Sequence, residues 1–225
     1  MKNFSQARKN MVDSQLRPNG ITDSRILLAM GEVAREQFVA PDRAEFAYMD
    51  EDVAMSHRSS SGGAGRMLME PMILARLLQL AEVRAGERVL DVGSGTGYSS
   101  AILAKMGAKV TAFEADAGLA ERARAWFAAN SELGVELIQG DLAKGPVGNQ
   151  TYDLIFVNGQ LPELHQAFAA LLAENGRMIA VEGRGPMGRA VVTQKLHGAL
   201  GRRVVFDASV PLLPGFIPER VEFSF

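Results

Sequence analysis

Residues 89–98 read Val-Leu-Asp-Val-Gly-Ser-Gly-Thr-Gly-Tyr, with Gly93, Gly95 and Gly97 on alternate positions behind a short apolar run. Glycines spaced in this way let a backbone approach a ligand closely and take conformations closed to other residues. Asp91 stands just ahead of them, and a carboxylate there suits a cation, such as the ammonium of an amino acid, better than a pyrophosphate. Glu114 follows roughly twenty residues beyond Gly93, where an acidic group can accept hydrogen bonds from both hydroxyls of a ribose. Asp141, in Gln139-Gly140-Asp141-Leu142, follows a further apolar run and is placed to meet an adenine amino group. Ribose, adenine and a cationic amino acid together describe S-adenosyl-L-methionine. The G-x-G-x-G spacing differs from the G-x-G-x-x-G of dinucleotide sites, since position 98 is Tyr, and no G-x-x-x-x-G-K-[ST] phosphate loop occurs.

Such residues need a frame, and the chain from Pro71 onward alternates in the manner of one. Pro71 suits the first position of a helix running through Met72 to Leu80. Strands are predicted at 88–92, 109–114, 135–138, 152–157 and 177–181, with helices between them through Ile102-Leu103-Ala104, at 118–130 and at 162–172. Strands alternating with helices imply right-handed βαβ units and a doubly wound α/β sheet, mostly parallel. The tail changes character: 191–196, 204–206 and 221–225 read as strands, the last with Val221, Phe223 and Phe225 alternating with polar residues, as an antiparallel addition requires. The first seventy residues predict helices over 4–16 and from Thr22 or Asp23 onward, then a Ser- and Gly-rich loop around 56–65. The whole, 1–225, reads as a single domain: an N-terminal extension over 1–70, a ligand-binding core over 71–190 and C-terminal strands over 191–225.

Composition narrows the function classes. The 225 residues carry a net charge of −2, which offers no basic field for a nucleic acid. With no cysteine there is no disulfide, thiolate nucleophile or cysteine-bound metal. His57, His165 and His197 are isolated, so no metal site is expected. No apolar run approaches the roughly 18 residues of a membrane span, and the start MKNFSQARKN lacks a signal-peptide core, so the expectation is a cytoplasmic protein without a membrane partner. Trp126, among alanines, reads as a core residue, and Arg220 as exposed.

The segment from Leu90 to Tyr98, Glu114 and Gly140-Asp141, in this order, resembles the cofactor motifs of class I S-adenosylmethionine-dependent methyltransferases. The front half is more specific. Met11 to Leu16, Gly20 to Asp23, Val33 to Val39 and Ala47 to Asp50 resemble, in order, blocks of the protein-L-isoaspartate O-methyltransferases. That resemblance implies a Rossmann-like fold, S-adenosyl-L-methionine as cofactor, and methylation of the abnormal α-carboxylate left when asparagine or aspartate isomerises. It implies isoaspartyl-containing proteins or peptides as partners, and cofactor contacts at Pro71, Met72, Asp91, Gly93, Ser94, Gly95, Gly97, Glu114, Asp141, Leu142 and Asn158. Two departures stand out. Met67-Leu68-Met69-Glu70-Pro71 occurs where the family carries Thr-Ile-Ser-x-Pro, so Met69 occupies the serine position and no catalytic residue is assigned. Leu142 replaces the last glycine of Gly-Asp-Gly. A thioether cannot donate a hydrogen bond, so weak isoaspartyl activity is expected, with a small-molecule acceptor or cofactor binding without transfer left open.

Overall fold

The computed structural model describes residues 3–56 and 65–216. Seven strands form the main sheet, in the spatial order 136–139, 109–114, 88–92, 152–161, 172–182, 188–196 and 199–208. Its parallel part comprises β3 (Arg88–Val92), β4 (Lys109–Glu114), β5 (Glu136–Gln139), β6 (Tyr152–Leu161) and β7 (Leu172–Glu182). β8 (Gly188–Leu196) and β9 (Ala199–Ala208) add antiparallel strands at the far edge. Successive residues of the central strands pack on opposite faces. Leu154 and Phe156 join one apolar cluster while Ile155 and Val157 join the other, as an unbroken apolar run buried on both faces must.

The chain leaves β3 first toward β4 and β5, then returns to β6 on its other side. The carboxyl ends of β3 and β6 therefore flank the point where the connections diverge, the place where doubly wound sheets bind ligands.

One face of the sheet carries α3 (Pro71–Ala81), α4 (Tyr98–Lys105), α5 (Ala117–Ala129) and the N-terminal helices. Met11, Leu16, Ile26 and Met30 are all nearly inaccessible and share a cluster with Leu74, Leu77 and Ile102. This burial fastens the extension to the core. α1 (Phe4–Met11) widens into a π-helical turn at Val12–Leu16, where Ser14 donates back to the Asn10 carbonyl at 2.6 Å. α2 (Ser24–Glu32) is capped by Asp23, whose side chain accepts from Arg25 N. A two-stranded ribbon, β1 (Val53–Ala54) with β2 (Met67–Leu68), lies between extension and core.

Several elements differ from the sequence expectation. The helix predicted over 162–172 shrinks to α6, Gln166–Ala170, because β6 runs on to Leu161 through a bulge and β7 already begins at Leu172. The third strand of the parallel set is shifted by one residue, to Glu136–Gln139. Trp126 is only partly buried: it packs on Phe38 with ring centroids 4.7 Å apart, and its Nε1 donates to Gln37 at 2.7 Å. The strand predicted at 221–225, Arg220, His57 and most of the Ser- and Gly-rich loop lie outside the described residues.

Candidate active site

The chain leaves β3 through Gly93, Gly95 and Gly97 at φ of +70°, +59° and +96°. The backbone conformation favours glycine here, and the tips of neighbouring side chains crowd the same positions. A Cβ on Gly93 would stand 2.6 Å from Leu213 Cδ2, and one on Gly95 would stand 2.5 Å from Met55 Sδ. Glu114 ends the neighbouring strand, fully buried. Its Oε2 accepts from Gly95 N at 2.7 Å, and its Oε1 accepts from Ala115 N and Asp116 N at 2.8 and 2.9 Å. A carboxylate has about four acceptor positions, so three of Glu114's shape the loop itself. Arg66 Nη1, at 3.5 Å from Oε2, faces the fourth.

Asp91 is turned into the protein. Its Oδ2 accepts from Ser99 and Ser100 at 2.6 and 2.5 Å, while Oδ1 is buried without a hydrogen-bond partner. Burial pushes its carboxyl up to about 7, although the two serine hydroxyls pull the other way. Ser94 Oγ is likewise buried and unpartnered among the described residues. Asn158 is anchored through Nδ2, which donates to Ser99 Oγ at 2.7 Å. The register slips between Phe156 and Gln160, and within this bulge Gly159 sits at φ +152°.

Gly93 O, just beyond β3, and Asn158 O, in the bulge of β6, point at a common position. Arg66 Nη2 lies there, 2.9 Å from the first and 3.4 Å from the second. Two carbonyls and the Glu114 carboxylate thus converge on a cation. This arrangement fits the amino-acid end of S-adenosylmethionine, and the orphaned Asp91 Oδ1 and Ser94 Oγ offer further polar partners. The cation that the two carbonyls meet here is the Arg66 guanidinium.

The structure places the other predicted residues in several environments. Gly140 N donates to Glu114 O at 3.0 Å, which ties the Asp141 turn beside β4. Asp141 itself is half-exposed, accepting from Ala143 N at 3.0 Å and pairing with Lys144, whereas Leu142 is buried. Pro71 is buried as the first residue of α3, and Met72 is partly buried beside it. Met69 belongs to the apolar core at 3% exposure. Met67 instead lines a cleft of about 390 Å³ with Arg43, Phe46, Met49 and Asp52.

The family model for protein-L-isoaspartate(D-aspartate) O-methyltransferase matches residues 6–203. The chain belongs to that family. As a member of the isoaspartate O-methyltransferase family it is an S-adenosyl-L-methionine-dependent methyltransferase. A protein-L-isoaspartate O-methyltransferase of Koribacter versatilis is 34% identical over 220 residues, 96% of each chain. One of Methylorubrum populi is 40% identical over 177 residues, 79% of this chain and 80% of the relative. Among solved structures, a protein-L-isoaspartate O-methyltransferase superposes with a TM-score of 0.80 at 22% identity, over 93% of this chain and 67% of its own. A Plasmodium falciparum structure in complex with S-adenosyl-L-homocysteine gives 0.76 at 23%, over 95% and 99%. These last two establish the shared fold.

Four residues of this family member's site escaped the sequence reading: Arg66, Arg35, Met55 and Leu213. Arg35 is fully buried, donating to Ala47 O and Met69 O at 2.6 Å each, and so fixes the backbone ahead of Pro71. Burial lowers its guanidinium's proton affinity. Arg122 similarly holds Met55 O at 2.6 Å and Val39 O at 2.7 Å. A lone arginine in a polar stretch reads as solvated, and only the closeness of Arg66 to Met67–Pro71 could have flagged it. Among the described residues no helix is long and apolar enough to cross a membrane.

Proposed function

We propose that this protein methylates the α-carboxylate of isoaspartyl residues in proteins and peptides, at a reduced rate, and so begins their repair through a succinimide. One observation carries the reading: the family match runs from residue 6, through the N-terminal extension that lines the Met67 cleft, and is not confined to the cofactor-binding core. S-adenosylmethionine, when bound, supplies a methyl group on a sulfonium that a carboxylate oxygen can accept. An acceptor carboxylate is already ionised at neutral pH, so the protein needs no strong base. Its task is positioning and exclusion of water.

In this reading the Gly93 and Asn158 carbonyls receive the cofactor's ammonium, Glu114 a ribose hydroxyl, and Asp141 with Leu142 the adenine. Ser94, Gly95 and Gly97 let the backbone come close, and Pro71 and Met72 border the methyl group. Met67, standing where the family has threonine, offers the acceptor no hydrogen bond, which lowers the rate without abolishing it. A different, small-molecule acceptor is favoured by one feature: the charged side chains of Glu51, Asp52 and Arg43 line the same cleft. We read the chain as one methyltransferase domain working in the cytoplasm, without a nucleic-acid partner.

The test is transfer of labelled methyl from S-adenosylmethionine to an isoaspartyl peptide, with the matching aspartyl peptide as control. Base-labile label on the isoaspartyl peptide alone is expected. Label on neither peptide, from a folded protein that binds cofactor, would refute the acceptor assignment.

A further inference from the structure

Arg66 is 8% exposed, and its guanidinium has come a long way in sequence to its partners. It reaches Gly93 O, Asn158 O and Glu114 Oε2 from a segment whose backbone is held elsewhere, by Met55 N donating to Arg66 O at 2.8 Å. The backbone is thus anchored while the side chain enters the cradle at the carboxyl ends of β3 and β6.

Of the three contacts, 2.9 Å to Gly93 O is a full hydrogen bond, while 3.4 and 3.5 Å are long. A guanidinium is planar and forked, and it matches a carboxylate or phosphate edge better than two separate carbonyls. An ammonium is compact, with three donors that rotate to suit, and it answers two converging carbonyls more closely. Arg66 has therefore given up much of its hydration for one good hydrogen bond and a long ion pair with the buried Glu114 carboxylate. It also stands where a second cation cannot enter beside it, because like charges so close repel strongly in a site of low polarity.

We propose that Arg66 is a built-in competitor for the cofactor's ammonium: its guanidinium occupies the Gly93–Asn158 carbonyl pair and is displaced when the cofactor binds. The inference rests on the reading of the glycine loop as the cofactor site. The cofactor's apparent affinity is then its intrinsic affinity reduced by the fraction of molecules in which Arg66 has swung out. Arg66 sets the cofactor concentration at which the protein loads, and differs in this from a residue that holds the ligand.

The experiment is calorimetric titration of S-adenosylhomocysteine, which carries the same ammonium, and of adenosine, which lacks it, into the full-length wild type, Arg66→Gln and Arg66→Lys. Arg66→Gln is expected to bind S-adenosylhomocysteine about tenfold tighter than wild type, with adenosine changed less than about twofold. Arg66→Lys, which keeps the charge without the fork, is expected between them, and carries the test if Arg66→Gln does not fold. Thermal melting adds a readout that a structural role would not produce: the unliganded variant melts lower while its ligand-induced rise is larger. Equal or weaker binding of S-adenosylhomocysteine by the variants would overturn the proposal. An equal gain for adenosine would also overturn it, since Arg66 would then obstruct space without competing for the ammonium position. No binding by wild type or by either variant would instead remove the cofactor-site reading, and this inference with it.

Discussion

The floor of the glycine-loop cradle comes from one continuous stretch, Asp91 to Asp116, whereas its roof is gathered from Met55, Arg66 and Leu213. The floor is held by backbone amides on Glu114 and by serine hydroxyls on Asp91, contacts made within about 25 residues. The roof depends on anchors from elsewhere in the chain: Arg122 holds Met55 O, Met55 N holds Arg66 O, and Gln160 holds Pro211 and Leu213 through backbone bonds of 2.9 Å. A floor of this kind forms whenever its strand and helix form. A roof of this kind forms only when the whole domain does, and it can be altered without disturbing the loop beneath.

Four substitutions sharpen or break the comparison, and the largest effect is expected in the floor. The folded Asp91 carboxyl sits at about 7 against 3.8 when exposed. Between these values the folded state binds the extra proton, so stability falls as pH rises from about 4 to about 7 and the full penalty is present above. Asp91→Asn removes that dependence while keeping an acceptor for Ser99 and Ser100. Urea titration should find it more stable than wild type at pH 8 by up to about 4 kcal/mol, and no more stable near pH 4. A gain that does not grow with pH would show that burial is not what perturbs Asp91.

Met69→Ser comes next, in the segment leading to the roof. Restoring the family's residue here empties part of the core and buries a hydroxyl, so a loss of about 3 kcal/mol is expected by denaturant melting. A neutral result would mean that position 69 opens to the acceptor. Glu114→Gln returns to the floor. Because Glu114 also orders three amides through both of its oxygens, truncation to Ala would release all three, whereas Gln keeps those on one oxygen. Calorimetry should show S-adenosylhomocysteine weakened by about 2 kcal/mol, the worth of a charged hydrogen bond. Met67→Thr is the mildest. It restores a hydroxyl at the cleft with little structural cost, and isoaspartyl methylation should rise about tenfold, or about 1.4 kcal/mol in transition-state stabilisation. No gain would place the acceptor away from the Met67 cleft.

Much of the floor was legible because its signals are local. Alternate glycines behind an apolar strand, and an acidic residue closing the next strand, are read within a short window. The helix expected over 162–172 failed for the opposite reason. Its residues are recruited by the sheet on both sides, β6 lengthening through the bulge at 157–159 and β7 starting early, and ladder pairing overrode helical spacing. Trp126 among alanines looked like core, yet its Nε1 needed a partner and found Gln37 at the surface.

The sequence by itself determined the sheet with its parallel centre, the glycine loop, the Glu114 strand end and the family, since each is written in periodicity or in a contiguous motif. The folded chain alone reveals that Asp91 faces Ser99 and Ser100, and that the Gly93 and Asn158 carbonyls converge on Arg66. The physical reason is range. Backbone carbonyls are carried by every residue and leave no mark in the sequence. A contact such as Arg66 with Asn158 spans 92 positions and exists only once β3 and β6 lie side by side.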